Sequence, residues 1–121
     1  MDFAPVISGD GSKIAFSSET DGDFEIYVVN SDGTGLTQLT HNTAADYNPS
    51  ISGDGSKIAF QSNLDGDYEI YIVNSDGTGL TQLTTNTVQD SRPVISSDGS
   101  VIAYESYAGG DAEIAVITSD G

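Results

Sequence analysis

Two short stretches hold the densest chemistry in the chain. Asp21-Gly22-Asp23-Phe24-Glu25 and Asp65-Gly66-Asp67-Tyr68-Glu69 each set three carboxylates on alternate residues. A calcium ion takes about 6–8 oxygen ligands, which clustered carboxylates and turn carbonyls can supply together. Asp21, Asp23, Glu25, Asp65, Asp67 and Glu69 are therefore the candidate calcium ligands. Their spacing is not that of an EF-hand loop, and Asp-Gly pairs form tight turns with no metal at all. A third stretch has Gly109 at the first position and keeps only Asp111 and Glu113.

Other reactive chemistry is sparse. The chain has no cysteine, so disulfides and thiolate nucleophiles are excluded. Its one histidine, His41, could be imagined beside a serine and an aspartate, but Thr85 takes its place in the next copy of the surrounding text. An interchangeable residue of this kind reads as a variable loop position. Two-carboxylate hydrolysis needs two acids in different environments. Here the acids recur in similar turns, so the reading is non-catalytic.

Charge narrows the partners. Three basic residues, Lys13, Lys57 and Arg92, face 19 acidic ones, for a formal net charge of −16. Such a chain repels nucleic acid, having no basic patch to displace counterions from phosphate. Its field favours cations and basic proteins. No stretch reaches the ~18 apolar residues of a membrane span, so membrane insertion is not expected. The first residues, Met1 to Pro5, carry no signal-peptide pattern.

The elements that must position these groups repeat every 44 residues. Ile7–Phe16 reads ISGDGSKIAF and Ile51–Phe60 repeats it unchanged; Asn30–Thr40 and Asn74–Thr84 are likewise identical. Pro5, Pro49 and Pro93 keep the same spacing, as do Glu25, Glu69 and Glu113. The chain thus reads as one segment, 1–121, with repeats at 2–45, 46–89 and 90–121. Within the first repeat, strands are expected at Val6–Ser8, Lys13–Ser18, Glu25–Asn30 and Leu36–Thr40, separated by Asp-Gly turns.

Side-chain alternation shows what those strands need. Ile26 and Val28 point one way and Tyr27 and Val29 the other; Ile14 and Phe16 share a face opposite Ala15. A strand apolar on both sides must be covered on both sides. Four-stranded sheets stacked around an axis achieve this, and a period near 40–45 is the signature of such blades. The expected fold is all-β: propeller blades of four antiparallel strands, three per chain, the third without its outer strand. Propellers usually have about 4–8 blades. Three do not close a ring, so a homodimer completing a six-bladed ring is the simplest assembly. In such a ring Asp2, Asp46 and Asp90, each three residues ahead of a proline, stand at one mouth of the central channel, or else cap the turns entering the blades. Phe24, Tyr27, Tyr68 and Tyr71 are expected to pack between blades.

These motifs resemble the propeller repeat of the TolB family. Pro49, Ile51, Ser52, Asp54-Gly55, Ile58-Ala59-Phe60, Asp65-Gly66, Ile70-Tyr71, Asp76-Gly77 and Leu80-Thr81-Gln82-Leu83-Thr84 match its pattern in order, and the match runs over essentially the whole chain. The text SGDGSKIAF looks especially like tandem repeats of archaeal and bacterial cell-surface proteins. Ile7 and Ile51 depart from the family, where an aromatic residue is common. The resemblance implies a scaffold for protein or ligand binding, a six-bladed ring, and a cell-surface or periplasmic setting. It carries no catalytic residues onto this chain. A purely structural assembly unit, a piece of a larger propeller, or a calcium-binding surface module are the other readings.

Overall fold

The computed structural model describes residues 1–20 and 22–121, so the candidate ligand Asp21 lies outside the described residues. Among the described residues eleven strands form three antiparallel sheets and none is helical. The first sheet holds β1 (Asp2–Ile7), β2 (Lys13–Glu19), β3 (Phe24–Asn30) and β4 (Thr37–Gln38) in that spatial order. The second repeats it with β5 (Asp46–Ile51), β6 (Lys57–Ser62), β7 (Glu69–Asn74) and β8 (Thr81–Gln82). The third has β9 (Asp90–Ile95), β10 (Val101–Ser106) and β11 (Glu113–Thr118), with no strand outside β11 among the described residues. The three sheets are the expected blades.

The alternation read from the sequence sets how they stack. Ala15, Ile26, Val28 and Leu39 of the first blade bury against Ile51, Ile58, Phe60, Tyr71 and Val73 of the second. On its other face the second blade offers Ala59, Ile70, Ile72 and Leu83 to Ile95, Ile102, Tyr104 and Ile117 of the third. Each blade therefore has a small-residue aliphatic side and an aromatic-bearing side, and the two kinds meet at both junctions. The aromatic pairs Phe16–Tyr27 and Phe60–Tyr71 stack within their blades at 5.7 Å between ring centres. Phe3, Phe24, Tyr47 and Tyr68 form a second aromatic run across the blades, with neighbouring centres 4.8–6.2 Å apart.

Two strand boundaries differ from expectation. The inner strands begin at Asp2, Asp46 and Asp90 rather than beside the apolar residues after the prolines. A bulge lets pairing resume upstream of each proline, as Phe3 opposite Ser17 and Tyr47 opposite Gln61 show. At the bulge Ala4, Asn48 and Arg92 have φ of 55°, 52° and 52°, a left-handed conformation unusual for residues with a side chain. The outer strands are only two residues long, not five. Leu39 still donates its N–H to the Ile26 carbonyl at 2.7 Å, but the Ile26 N–H turns to the Thr40 hydroxyl at 2.9 Å, so the regular ladder ends there.

The inner turns also lock together. The Gly53 N–H donates to the Ser97 carbonyl at 2.8 Å, and the Asp10 N–H donates to the Gly53 carbonyl at 2.9 Å. A Cβ on Gly53 would lie 2.2 Å from Ser97 Oγ, so no other residue fits that approach. Phe60 is fully buried between two sheets. Phe60→Ala should lower the unfolding free energy by about 3–5 kcal/mol, whereas the exposed Leu36→Ala should stay within about 0.5 kcal/mol; urea denaturation of the two variants checks the contrast.

Candidate functional site

The polar chemistry gathers at the junctions between blades. Glu25 opens β3 and Glu69 opens β7, and both are buried. In the first, Thr40 donates its hydroxyl to Glu25 Oε2 and the Asn42 N–H donates to Oε1 at 2.8 Å. The Asn42 side-chain amide then donates to Asp46 Oδ2 at 2.9 Å, on the first residue of the next blade. The second junction repeats each contact with Glu69, Thr84, Asn86 and Asp90. A chain of Glu, Thr, Asn and Asp thus clamps the end of one blade to the start of the next. Charge-assisted bonds of this kind are stronger than neutral ones.

This arrangement separates acids that look alike in the sequence. Burial raises the pKa of Glu25 and Glu69, with the neighbouring Asp46 and Asp90 carboxylates adding to the effect. The turn acids behave oppositely. Ser12, Ser56 and Ser100 donate side-chain and backbone bonds to Asp10, Asp54 and Asp98, lowering their pKa values, that of Asp98 to about 2. The acids are therefore not in equivalent solvent-facing turns, contrary to the sequence reading. Tyr71, buried near Asp65, is pushed up to about 12.

The candidate ligands fall into two groups. Asp65, Asp67 and Glu69 bring one carboxylate oxygen each within 4.8 Å of one another. Asp67 Oδ2 is shielded from solvent and accepts no hydrogen bond from the protein, while Asp65 Oδ2 takes one from Gln82 Nε2 at 2.7 Å. Asp23 and Glu25 instead line a cleft of about 390 Å³ with Gln38, His41, Asn42 and Thr43. No serine lines that cleft, and His41 is exposed. Of the three acids before the prolines, Asp46 and Asp90 are fully buried in the clamps and Asp2 is exposed at the free edge of the first blade.

Sequence reasoning missed the clamp. The 44-residue recurrence of Glu25 and Glu69, and of Asn42 and Asn86, was the available signal. The missing step was that Thr40 and Asn42, in what reads as an outer strand and loop, turn back onto a glutamate at the start of the preceding strand.

The profile of the TolB beta propeller domain matches residues 1–121. Among solved structures, a putative TolB from Agrobacterium tumefaciens superposes with a TM-score of 0.81 at 28% identity, over 95% of this chain and 44% of that one. TolB from Acinetobacter baumannii gives a TM-score of 0.75 at 23% identity, over 97% of this chain and 30% of that one. Dipeptidyl peptidase 4 from Porphyromonas gingivalis gives 0.78 at 19% identity, over 98% of this chain and 17% of that one, and shares the fold alone. The chain thus spans less than half the length of these proteins. No curated protein sequence is significantly similar to it.

The clamp has a pH signature. A carboxyl whose folded-state pKa stands above its unfolded value of 4.5, as for Glu25 and Glu69, holds its proton more tightly when folded. Its contribution is fully present below pH 4.5 and is lost as pH rises through the folded value. The melting temperature should therefore fall as pH rises above 4.5. A Glu25→Gln, Glu69→Gln double variant, neutral but still able to accept the asparagine N–H bonds, should fall less steeply; an unchanged slope in thermal melts would remove the glutamates from the account.

Proposed function

We propose that this chain, which belongs to the TolB β-propeller domain family, is a non-catalytic scaffold that assembles with a second copy through its blade faces. One observation carries this reading: the two uncovered faces bear the residues that cover each other at the internal junctions. Ile7, Ile14, Phe16, Tyr27 and Val29 on the first blade stand at the repeat positions of Ile51, Ile58, Phe60, Tyr71 and Val73. Ala103, Ile114 and Val116 on the third stand at those of Ala59, Ile70 and Ile72. Ile7 is 60% exposed, Ile114 74% and Val116 65%, whereas Ile70 and Ile72 are buried. Placing the third blade of one copy on the first blade of another reproduces the internal packing, and doing so twice closes six blades around a two-fold axis.

Polar groups favour the same docking. Gln61 Oε1 accepts the Arg92 N–H of the next blade at 2.8 Å. Glu105 holds that position on the open face, where it pairs with Arg92 at 3.4 Å. It stands ready to accept the Ala4 N–H of a second copy. The assembled ring then presents acidic turns to a basic protein or a cation, in keeping with the net charge of −16. In sedimentation equilibrium the 121-residue chain should have twice its 12.6 kDa mass. Phe16→Asp and Val116→Asp should each return a folded monomer. A wild-type monomer, or variants that still dimerise, would refute the ring.

A divalent-cation site at Asp65, Asp67 and Glu69 is a second reading, favoured by the shielded Asp67 Oδ2 that no protein donor reaches. These residues could hold calcium, whose positive charge would offset three converging carboxylates. Millimolar calcium should then raise the melting temperature of the chain but not that of Asp67→Asn, and equal responses from both proteins would dispose of the site.

A further inference from the structure

The junction between the first two blades buries polar atoms that the clamp leaves without partners. Asp46 pairs with Ser62, and Ser62 with Glu69, in one row across the second sheet. Cross-strand partners share a face, so this row and Tyr71, two residues beyond Glu69, look toward the first blade together with Phe60. Ser17 faces them from β2, two residues along from Ala15. Ser17, Asp46, Ser62 and Tyr71 are each no more than 5% exposed. Among the described residues, Ser17 Oγ, Asp46 Oδ1, Ser62 Oγ and the Tyr71 hydroxyl have no hydrogen-bond partner.

The other blades show what these groups do elsewhere. In the first blade Ser18 and Asp2 hold the repeat positions of Ser62 and Asp46, and the Ser18 hydroxyl donates directly to Asp2 Oδ1 at 2.5 Å. Tyr27, at the position of Tyr71, shares a hydrogen bond with the Thr20 hydroxyl at 2.6 Å, whereas Leu64 takes the place of Thr20 in the second blade. The buried copies of these groups do not bond one another. At the second junction Asp90 Oδ1 is also unpartnered, but Gln61 and Ala115 stand where Ser17 and Tyr71 stand. Gln61 Oε1 is already taken there, by Asn48 Nδ2 at 2.9 Å and the Arg92 N–H at 2.8 Å. The full set of four oxygens is therefore confined to the first junction.

Charge decides what belongs among them. Glu25, Asp46 and Glu69 are all buried around this junction. Burying a carboxylate is costly without an opposite charge beside it. Among the described residues the single ion pair is Arg92 with Glu105, and Lys13 Nζ bonds the neutral Asn30. A water molecule would satisfy the hydroxyls but bring no charge. Thr84 and Asn86 occupy both Glu69 oxygens, and Asn42 occupies Asp46 Oδ2, which leaves Asp46 Oδ1 as the free anionic oxygen. Burial, together with the charges of Asp65, Asp46 and Glu69, pushes the Tyr71 pKa up to about 12, so its hydroxyl is a neutral oxygen at ordinary pH. One anionic and three neutral oxygens match a single positive charge. Calcium takes about 6–8 oxygens and magnesium keeps several waters, so a closed set of four suits neither.

We infer that the first blade junction binds an alkali-metal cation, sodium or potassium, through Asp46 Oδ1, Ser62 Oγ, Ser17 Oγ and the Tyr71 hydroxyl. The ion neutralises Asp46 and ties β2 of one blade to β5, β6 and β7 of the next. Its ligands include none of Asp65, Asp67 and Glu69, and the site lies within one chain whether or not a ring closes.

The test melts the 121-residue chain at neutral pH, with EDTA present, in sodium, potassium or tetramethylammonium chloride at one concentration. The chelator removes calcium, equal ionic strength equalises screening, and tetramethylammonium is too bulky to enter. The melting temperature should stand about 5 °C higher in at least one alkali salt than in tetramethylammonium. Tyr71→Phe and Ser62→Ala each delete one ligand oxygen and should each lose at least half of that difference. In tetramethylammonium chloride Tyr71→Phe should melt no lower than the parent, because it removes a buried hydroxyl that has no partner there. A bridging water predicts equal melting in all three salts. That result, or the full alkali difference retained by both variants, overturns the inference.

Discussion

A sheet with apolar side chains on both faces cannot rest in water on either side. That constraint governs the molecule. Ile58, Phe60 and Val73 point one way from the second blade, and Ala59, Ile70 and Ile72 the other, so this blade exists as a buried layer only because it has a neighbour on each side. The blades at the ends meet the condition on one face only. Their other faces have the composition of a protein interior and the exposure of a surface.

The junction clamps add direction to this stacking. Apolar faces alone tolerate sliding, since the hydrophobic effect is non-directional. A buried glutamate held by a threonine hydroxyl and an asparagine N–H, and linked onward to an aspartate of the next blade, allows one offset. Burying four acids in two clusters costs desolvation, visible as the upward displacement of Glu25 and Glu69. Donors from Thr40, Asn42, Thr84 and Asn86 offset part of that cost, while Asp46 Oδ1 and Asp90 Oδ1 stay buried without a hydrogen-bond partner.

Much of this was legible in the sequence, for identifiable reasons. The 44-residue period, the Asp-Gly turns and the two-sided apolar alternation are local patterns, and the three sheets follow from them. Groups that meet only after the chain has turned were not legible. Glu25 follows an Asp-Gly turn and reads as another solvated acid, yet Thr40, fifteen residues on, closes over it. The bulges were hidden for a different reason. A residue before proline is ordinarily extended, whereas Ala4, Asn48 and Arg92 are left-handed because the strand must take up an extra residue to pair on both sides of the proline. The candidate calcium ligands were half legible: the alternate spacing does bring Asp65, Asp67 and Glu69 together, while Asp23 and Glu25 share a cleft with a histidine that no spacing rule foretold.

The verbatim repeats have a price during folding. Asn30–Thr40 and Asn74–Thr84 are the same eleven letters, and the strands β3 and β7 that receive them differ little. An outer segment can therefore settle on the wrong blade, or on another molecule, and find nearly every native contact there. Such an exchange has almost no energetic signature to correct it except the length of the connecting chain. Folding must discriminate by proximity rather than by complementarity, so crowded or concentrated refolding should favour swapped and entangled forms.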